Sequence, residues 1–148
     1  MATNERYMPV PPEAVWDALA DAGGYGYWVV GSKEIRDADP DWPAPGSKFH
    51  HTIGFGPFEI SDHTEALDAE RPARLTLRAK GRPLGTARVT LTMTALDGGT
   101  LVHMTENPDG LTSLLAFNPL VQLLTFGRNA ESLMRLEELA LRHDGASG

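Results

Sequence analysis

At 148 residues, 41% hydrophobic and 22% charged, the chain has the size of one globular domain, with enough interior for both a core and a pocket. Its 13 Lys and Arg against 20 Asp and Glu leave a formal net charge of −7, and the basic residues are scattered, which speaks against nucleic acid or an anionic membrane as partner. The absence of cysteine excludes disulfides, thiolate metal sites and cysteine nucleophiles.

The N-terminus has no basic segment leading into an apolar run, and no stretch approaches the roughly 18 apolar residues of a membrane span, so a cytoplasmic chain without an integral membrane segment is expected. Residues 4–10 suit an edge strand, which Pro11 and Pro12 stop while presetting a first helical turn. Val15, Trp16 and Leu19 recur at helical spacing and predict a short helix over 12–20, ended by Asp21, Gly23 and Gly24. Residues 25–30 read as a second, very short helix that passes Gly31 into a strand reaching Ile35. Trp28 in this segment suits the core, with a ligand platform as the alternative. Residues 39–46 are dense in turn formers and connect two strands, with Trp42 covering an end of the sheet.

From Lys48 to Thr105 the period changes to two. Phe49, His51, Ile53 and Phe55 alternate with Lys48, His50, Thr52 and Gly54, Leu75, Leu77 and Ala79 form a shorter set, and Val89, Leu91, Met93 and Ala95 alternate with Arg88, Thr90, Thr92 and Thr94. Short breaks at Gly56-Pro57, Glu70 to Pro72, Gly81 to Pro83 and Asp97 to Gly99 predict antiparallel hairpins rather than helical crossovers. His50 and His51 point to opposite faces of their strand and cannot share an ion, and no His-x-His or His-x-x-x-His pair exists, so no metal is expected. No glycine loop for phosphate and no Gly-x-Ser-x-Gly elbow occurs, and no cofactor is expected.

After residue 110 the helical period returns. Thr112 or Ser113 can cap a helical turn or two, and Asn118 followed by Pro119 reads as an N-cap with proline at the first helical position. The main helix is predicted over 119–142, roughly 36 Å long, with 143–148 as a frayed tail. Its apolar stripe reads Leu123, Phe126, Ala130, Leu133, Leu136 and Ala140, opposite Arg128, Glu131, Arg135 and Glu138. Arg128 and Glu131 are expected to form a rim pair. With no repeat and no low-complexity tract, 1–148 is taken as a single domain.

This order of elements, a strand, two short helices, a six-strand meander and a long C-terminal helix, resembles the START-like (SRPBCC) superfamily with its α+β helix-grip fold. Several stretches resemble its bacterial polyketide cyclase/dehydrase group: Pro-Pro-Glu-Ala-Val-Trp-Asp-Ala-Leu at 11–19, Tyr-Trp-Val-Val-Gly-Ser at 27–32, Asp-Pro-Asp-Trp-Pro-Ala-Pro-Gly-Ser at 39–47, Gly-Thr-Leu-Val-His-Met-Thr-Glu at 99–106 and Gly-Arg-Asn-Ala-Glu-Ser-Leu-Met-Arg-Leu at 127–136. The resemblance implies a curved seven-stranded antiparallel sheet held around the long helix, with a cavity between them. On that reading the cavity wall takes Trp28, Phe49, His51, Ile53, Phe58, Leu77, Leu91, Met93, Met104, Phe126 and Leu133.

Three polar residues stand out against that wall. Glu106 shares the face of Met104 and Val102; in an apolar cavity, desolvation would favour its neutral acid, and the alternative is a strand-end carboxylate that reaches water or pairs with an arginine such as Arg128. His51 shares the face of Phe49 and Ile53, either as a satisfied core residue or as a proton donor and acceptor towards a ligand. Asn129 falls on the apolar helix stripe, where its amide must be satisfied by strand or loop backbone or by a ligand. The resemblance leaves three functions open, because a fold does not decide among them: a module binding a small hydrophobic or amphipathic molecule, an aromatase/cyclase-like enzyme using Glu106 with His51, or an interaction protein similar to the chaperone cofactors. Whether the chain is a monomer or a homodimer is left open.

Overall fold

The structure, a computed structural model, describes residues 2–29, 32–55, 58–81, 85–109 and 119–147. The chain runs through β1 (Ala2–Met8), α1 (Pro12–Ala20), a 3-10 turn (Ala22–Gly24), α2 (Tyr25–Trp28), β2 (Ser32–Ala38), β3 (Lys48–Phe55), β4 (Phe58–Glu70), β5 (Arg74–Gly81), β6 (Gly85–Leu96), β7 (Gly99–Asp109) and α3 (Pro119–Ser147). The seven strands form one antiparallel sheet in the order β1-β7-β6-β5-β4-β3-β2, so every strand from β2 onward lies beside its neighbour in sequence. Only β1 breaks that order: it closes on β7 at one edge, and the chain must then cross to the opposite edge through α1 and α2. The N-terminal strand therefore starts and ends two residues earlier than its composition suggests, because its limits are set by pairing from Ala2 with Glu106 to Met8 with Thr100.

Register aligns one face of the sheet. Opposed residues share a face, so Asn4 and Met104, Leu91 and Met104, Leu75 and Leu91, Ala66 and Leu77, and Phe49 and Thr64 all point the same way, and all are buried. This is the hollow side of the curved sheet. Register shifts within β2/β3 and β4/β5 mark bulges, which add local bend and twist. The other face carries exposed groups such as Glu5, His50 and Arg88.

The core fills one end of the hollow. Ala14, Val15, Trp16, Ala18 and Leu19 of α1 are buried, as Val15, Trp16 and Leu19 at helical spacing require. Tyr25 packs on Trp28 and Phe49 with ring centroids 4.9 and 4.7 Å apart, and Trp42 meets Phe49 edge-on at 4.7 Å. The Leu19 carbonyl, in the last turn of α1, receives hydrogen bonds from Tyr25 Oη (2.8 Å) and Trp42 Nε1 (3.1 Å). Two aromatic side chains thereby satisfy a carbonyl that a helix end leaves open. Burial pushes the Tyr25 phenol well above its ordinary pKa.

Helix α3 packs chiefly on α1, β1 and α2. It differs from expectation in two respects. It continues to Ser147 instead of stopping near Arg142: a glycine in a helix costs only about 1 kcal/mol, so Gly145 does not end it, and His143 approaches Asp21 at 4.0 Å beside the end of α1. Its buried stripe is also not the one that hydropathy suggests. Asn129, Ser132, Leu133, Leu136 and Ala140 are inside, whereas Leu123 is 67% exposed, Phe126 is 51% exposed and Ala130 is on the surface. A hydrophobic stripe shows which side of a helix is apolar; the line of contact is set by the neighbours, and α1 and β1 cover the C-terminal half.

Candidate ligand site

One polar cluster lies where β1, β7 and the middle of α3 meet. Alternation along β7 brings Glu106 to the face of Met104 and Val102, opposite Ala2 on one side and Val89 on the other. Its side chain is only 13% exposed, and Arg128 Nη2 reaches both carboxylate oxygens, at 2.5 and 2.6 Å. Glu106 thus has the arginine partner named among its alternatives. The expected Arg128 to Glu131 pair is absent from the hydrogen bonds of these residues: Glu131 binds Arg135 at 3.0 Å, one turn onward, and Arg128 is drawn inward by the less exposed carboxylate.

Asn129 is 1% exposed. Its Oδ1 accepts from Arg128 Nε and Nη2 at 3.3 Å each, while its Nδ2 has no hydrogen-bond partner among the described residues. The bond to strand or loop backbone expected of Asn129 is replaced by one in the opposite sense: Asn4 on β1 donates its Nδ2 to the Phe126 carbonyl of the helix at 3.0 Å. Asn4 is 5% exposed, and its Oδ1 also lacks a partner among the described residues. A cleft of about 240 Å³ opens alongside, lined on β1 by Asn4 and Arg6 and on α3 by Phe126, Ala130 and Leu133. Arg6 is tied to Glu137 at 3.2 Å.

A second cluster lies across the hollow face. His51 on β3 is buried, with Nε2 3.1 Å from Thr64 Oγ1 of β4 and its ring 5.7 Å from Phe49. Asp62, also buried, stands opposite His51 in the register, and its Oδ1 accepts from the His63 backbone N–H at 2.9 Å. Strands β4, β5 and β6 lie between His51 and Glu106 in the sheet, roughly 19 Å along it at ordinary strand spacing.

The remaining candidates are distributed as follows. Trp28 is in the core against Tyr25, and Phe49, Leu77, Leu91, Met93 and Met104 are buried on the hollow face. Phe126 and Leu133 line the cleft. The side chains of Ile53 and Phe58 lie outside the described residues, as does the segment of Thr112, Ser113 and Asn118. Asn4, Asp62 and Thr64 were not singled out from sequence. The alternation Asp62, Thr64, Ala66 was available as a signal for the latter two, whereas Asn4 offered none, since an edge strand's inward face is unreadable before its partner is known. Among the described residues no group of three or more His, Asp or Glu is arranged to hold a metal, and no helix is long and apolar enough to cross a membrane.

The protein family described as "Polyketide cyclase / dehydrase and lipid transport" matches residues 2–140. Among solved structures, the chain is similar to protein NE0264 from Nitrosomonas europaea, with a TM-score of 0.72 at 17% identity, covering 95% of this chain and 93% of that one. It is also similar to protein MLL2253 from Mesorhizobium loti, with a TM-score of 0.67 at 21% identity over 95% and 96% of the two chains. TTHA0849 from Thermus thermophilus gives 0.63 at 21% identity over 95% and 97%. At these identities the likeness is one of fold. No curated protein matches the chain by sequence.

Proposed function

We propose that this chain, which belongs to the polyketide cyclase/dehydrase and lipid transport family and has the START-like helix-grip fold, is a binding module for a small hydrophobic or amphipathic molecule. The site runs from the cleft between β1 and α3 along the apolar side chains of the helix's first turns. The observation that carries this reading is the state of α3: its C-terminal half is packed, yet Leu120, Leu123, Leu124 and Phe126 stay more than half exposed, and Phe126 lines a cleft together with Asn4, whose buried Oδ1 has no partner among the described residues. Apolar walls with a few convergent polar groups are the ordinary composition of a small-molecule site. Full burial of a large apolar side chain contributes roughly 1.5–3 kcal/mol, and a ligand covering these half-exposed ones gains part of that from each, offset by the losses of association.

Acid/base chemistry shared by Glu106 and His51 gains no support, because the carboxylate is engaged by Arg128 and the histidine lies four strands along the sheet, against Thr64. The test is native mass spectrometry with solvent extraction of the purified protein, followed by thermal melts against a panel of alkyl and aromatic compounds. A ligand at a hundred times its Kd adds about 2.7 kcal/mol, which at this length raises the Tm by roughly 8 °C. No extracted molecule and no shift across the panel would remove the proposal.

A further inference from the structure

We infer that the bound molecule carries a neutral group able both to donate and to accept a hydrogen bond, a hydroxyl or a carboxamide, and that Asn4 and Asn129 read it. The inference rests on the binding-module reading and specifies its ligand. It starts from the orientation of the two amides, which chemistry determines. The Phe126 carbonyl can only accept, so the NH2 end of Asn4 must face it and the Asn4 oxygen faces away. The Arg128 guanidinium can only donate, so the oxygen of Asn129 must face it and the NH2 end faces away. What remains is one acceptor, Asn4 Oδ1, and one donor, Asn129 Nδ2, both on residues more than nine-tenths buried and both without a partner among the described residues.

Both amides belong to one neighbourhood. Asn4 lines the cleft itself, and Phe126 and Leu133, one helical turn to either side of Asn129, line it too. Asn4 is bonded to the helix at Phe126, three residues before Asn129. A hydroxyl or a carboxamide satisfies an acceptor and a donor at once; an ester or ketone satisfies only the donor and leaves Asn4 Oδ1 buried and unmet. A carboxylate fails for the same reason and finds no charge to meet it, since Arg128 is held by Glu106 and Arg6 by Glu137. Both arginines are paired and Glu5 also lines the cleft, so the site selects for hydrogen-bonding pattern and against an anionic ligand.

The experiment compares decan-1-ol, decanamide, decanoate and methyl nonanoate by isothermal titration at pH 8, with the full chain and with Asn129→Leu, whose folding is checked by circular dichroism. The alcohol and the amide are expected to bind at least tenfold tighter than the acid and the ester. Asn129→Leu removes the donor that every probe accepts from, so all four should bind several-fold more weakly, while the alcohol and the amide keep their advantage over the ester, which comes from the Asn4 oxygen. Decan-1-ol should also shift the Asn129 side-chain NH2 resonances in a 15N spectrum of the wild type. Equal affinities across the series, the result expected if the amides hold only water, overturn the inference and leave the binding module standing. Tightest binding by decanoate, or affinities that Asn129→Leu leaves unchanged, overturns it likewise. Binding by none of the probes, together with no molecule extracted from the purified protein, overturns the inference and the binding module together.

Discussion

Replacing Asn129 with leucine should make the ligand-free protein more stable while weakening its grip on a hydroxyl or amide ligand. The side chain is 1% exposed and its Nδ2 has no partner among the described residues, so the native fold carries the desolvation cost of that donor, about 1–3 kcal/mol. Leucine has nearly the same length and removes the donor. The loss on the other side is small: the two contacts from Arg128 to Asn129 are long, at 3.3 Å, and Arg128 keeps its hold on both oxygens of Glu106. Allowing for some overpacking by the branched methyls, the balance is a gain of about 1–2 kcal/mol. With roughly 2.1 cal/mol/K of unfolding entropy per residue, each kcal/mol moves the Tm by about 3 °C, so the variant should melt roughly 3–6 °C higher. Urea unfolding of delipidated protein should show a higher midpoint with an unchanged slope. A variant destabilised by more than about 1 kcal/mol would refute the reasoning, since it would mean that the amide is held by the fold rather than offered to a ligand.

Three further outcomes follow from the packing. Leu136→Ala, at a position fully buried in the α3 interface, should cost about 2–5 kcal/mol in urea unfolding, whereas Leu123→Ala, at an exposed position on the same helix, should change stability by less than about 0.5 kcal/mol and reveal itself only in ligand affinity. Because burial holds the Tyr25 phenol above its ordinary pKa, its contribution is complete below about pH 10 and is lost as pH rises beyond that; the Tm of the wild type should therefore fall more steeply above pH 10 than that of Tyr25→Phe, which gives up about 1 kcal/mol at neutral pH with its bond to Leu19. Gly99 has no room for a side chain, since a Cβ there would sit 2.5 Å from the Met8 carbonyl oxygen and 2.5 Å from Tyr7 Oη, so Gly99→Ala should loosen the β1 to β7 pairing by about 2 kcal/mol or more, measurable as faster amide exchange along β1.

Much of the architecture was readable in local pattern. The period-two runs at 48–55 and 88–95 and the Gly and Pro breaks between strands mark hairpins wherever they occur, and Pro12 and Pro119 set helix starts without reference to anything distant. The inward direction of Phe49, Leu91 and Met104 follows from the same alternation. His50 and His51 had to part for the same reason, and the structure leaves one exposed and the other buried.

The site was less readable because its residues meet across great chain separations. Asn4 finds the carbonyl of Phe126 122 positions away, and Arg128 finds Glu106 rather than the nearer Glu131. Nothing local tells an edge strand which of its faces is inward, or tells a helix which part of its apolar side will be covered. Periodicity is a property of neighbouring residues, so strands, turns and helix starts could be read from it. The covering of α3, the Arg128 to Glu106 pair and the two unmatched amides exist only once β1 has closed against β7 and the helix has settled across α1 and β1, because burial and hydrogen-bond partnership are relations between distant parts of the chain.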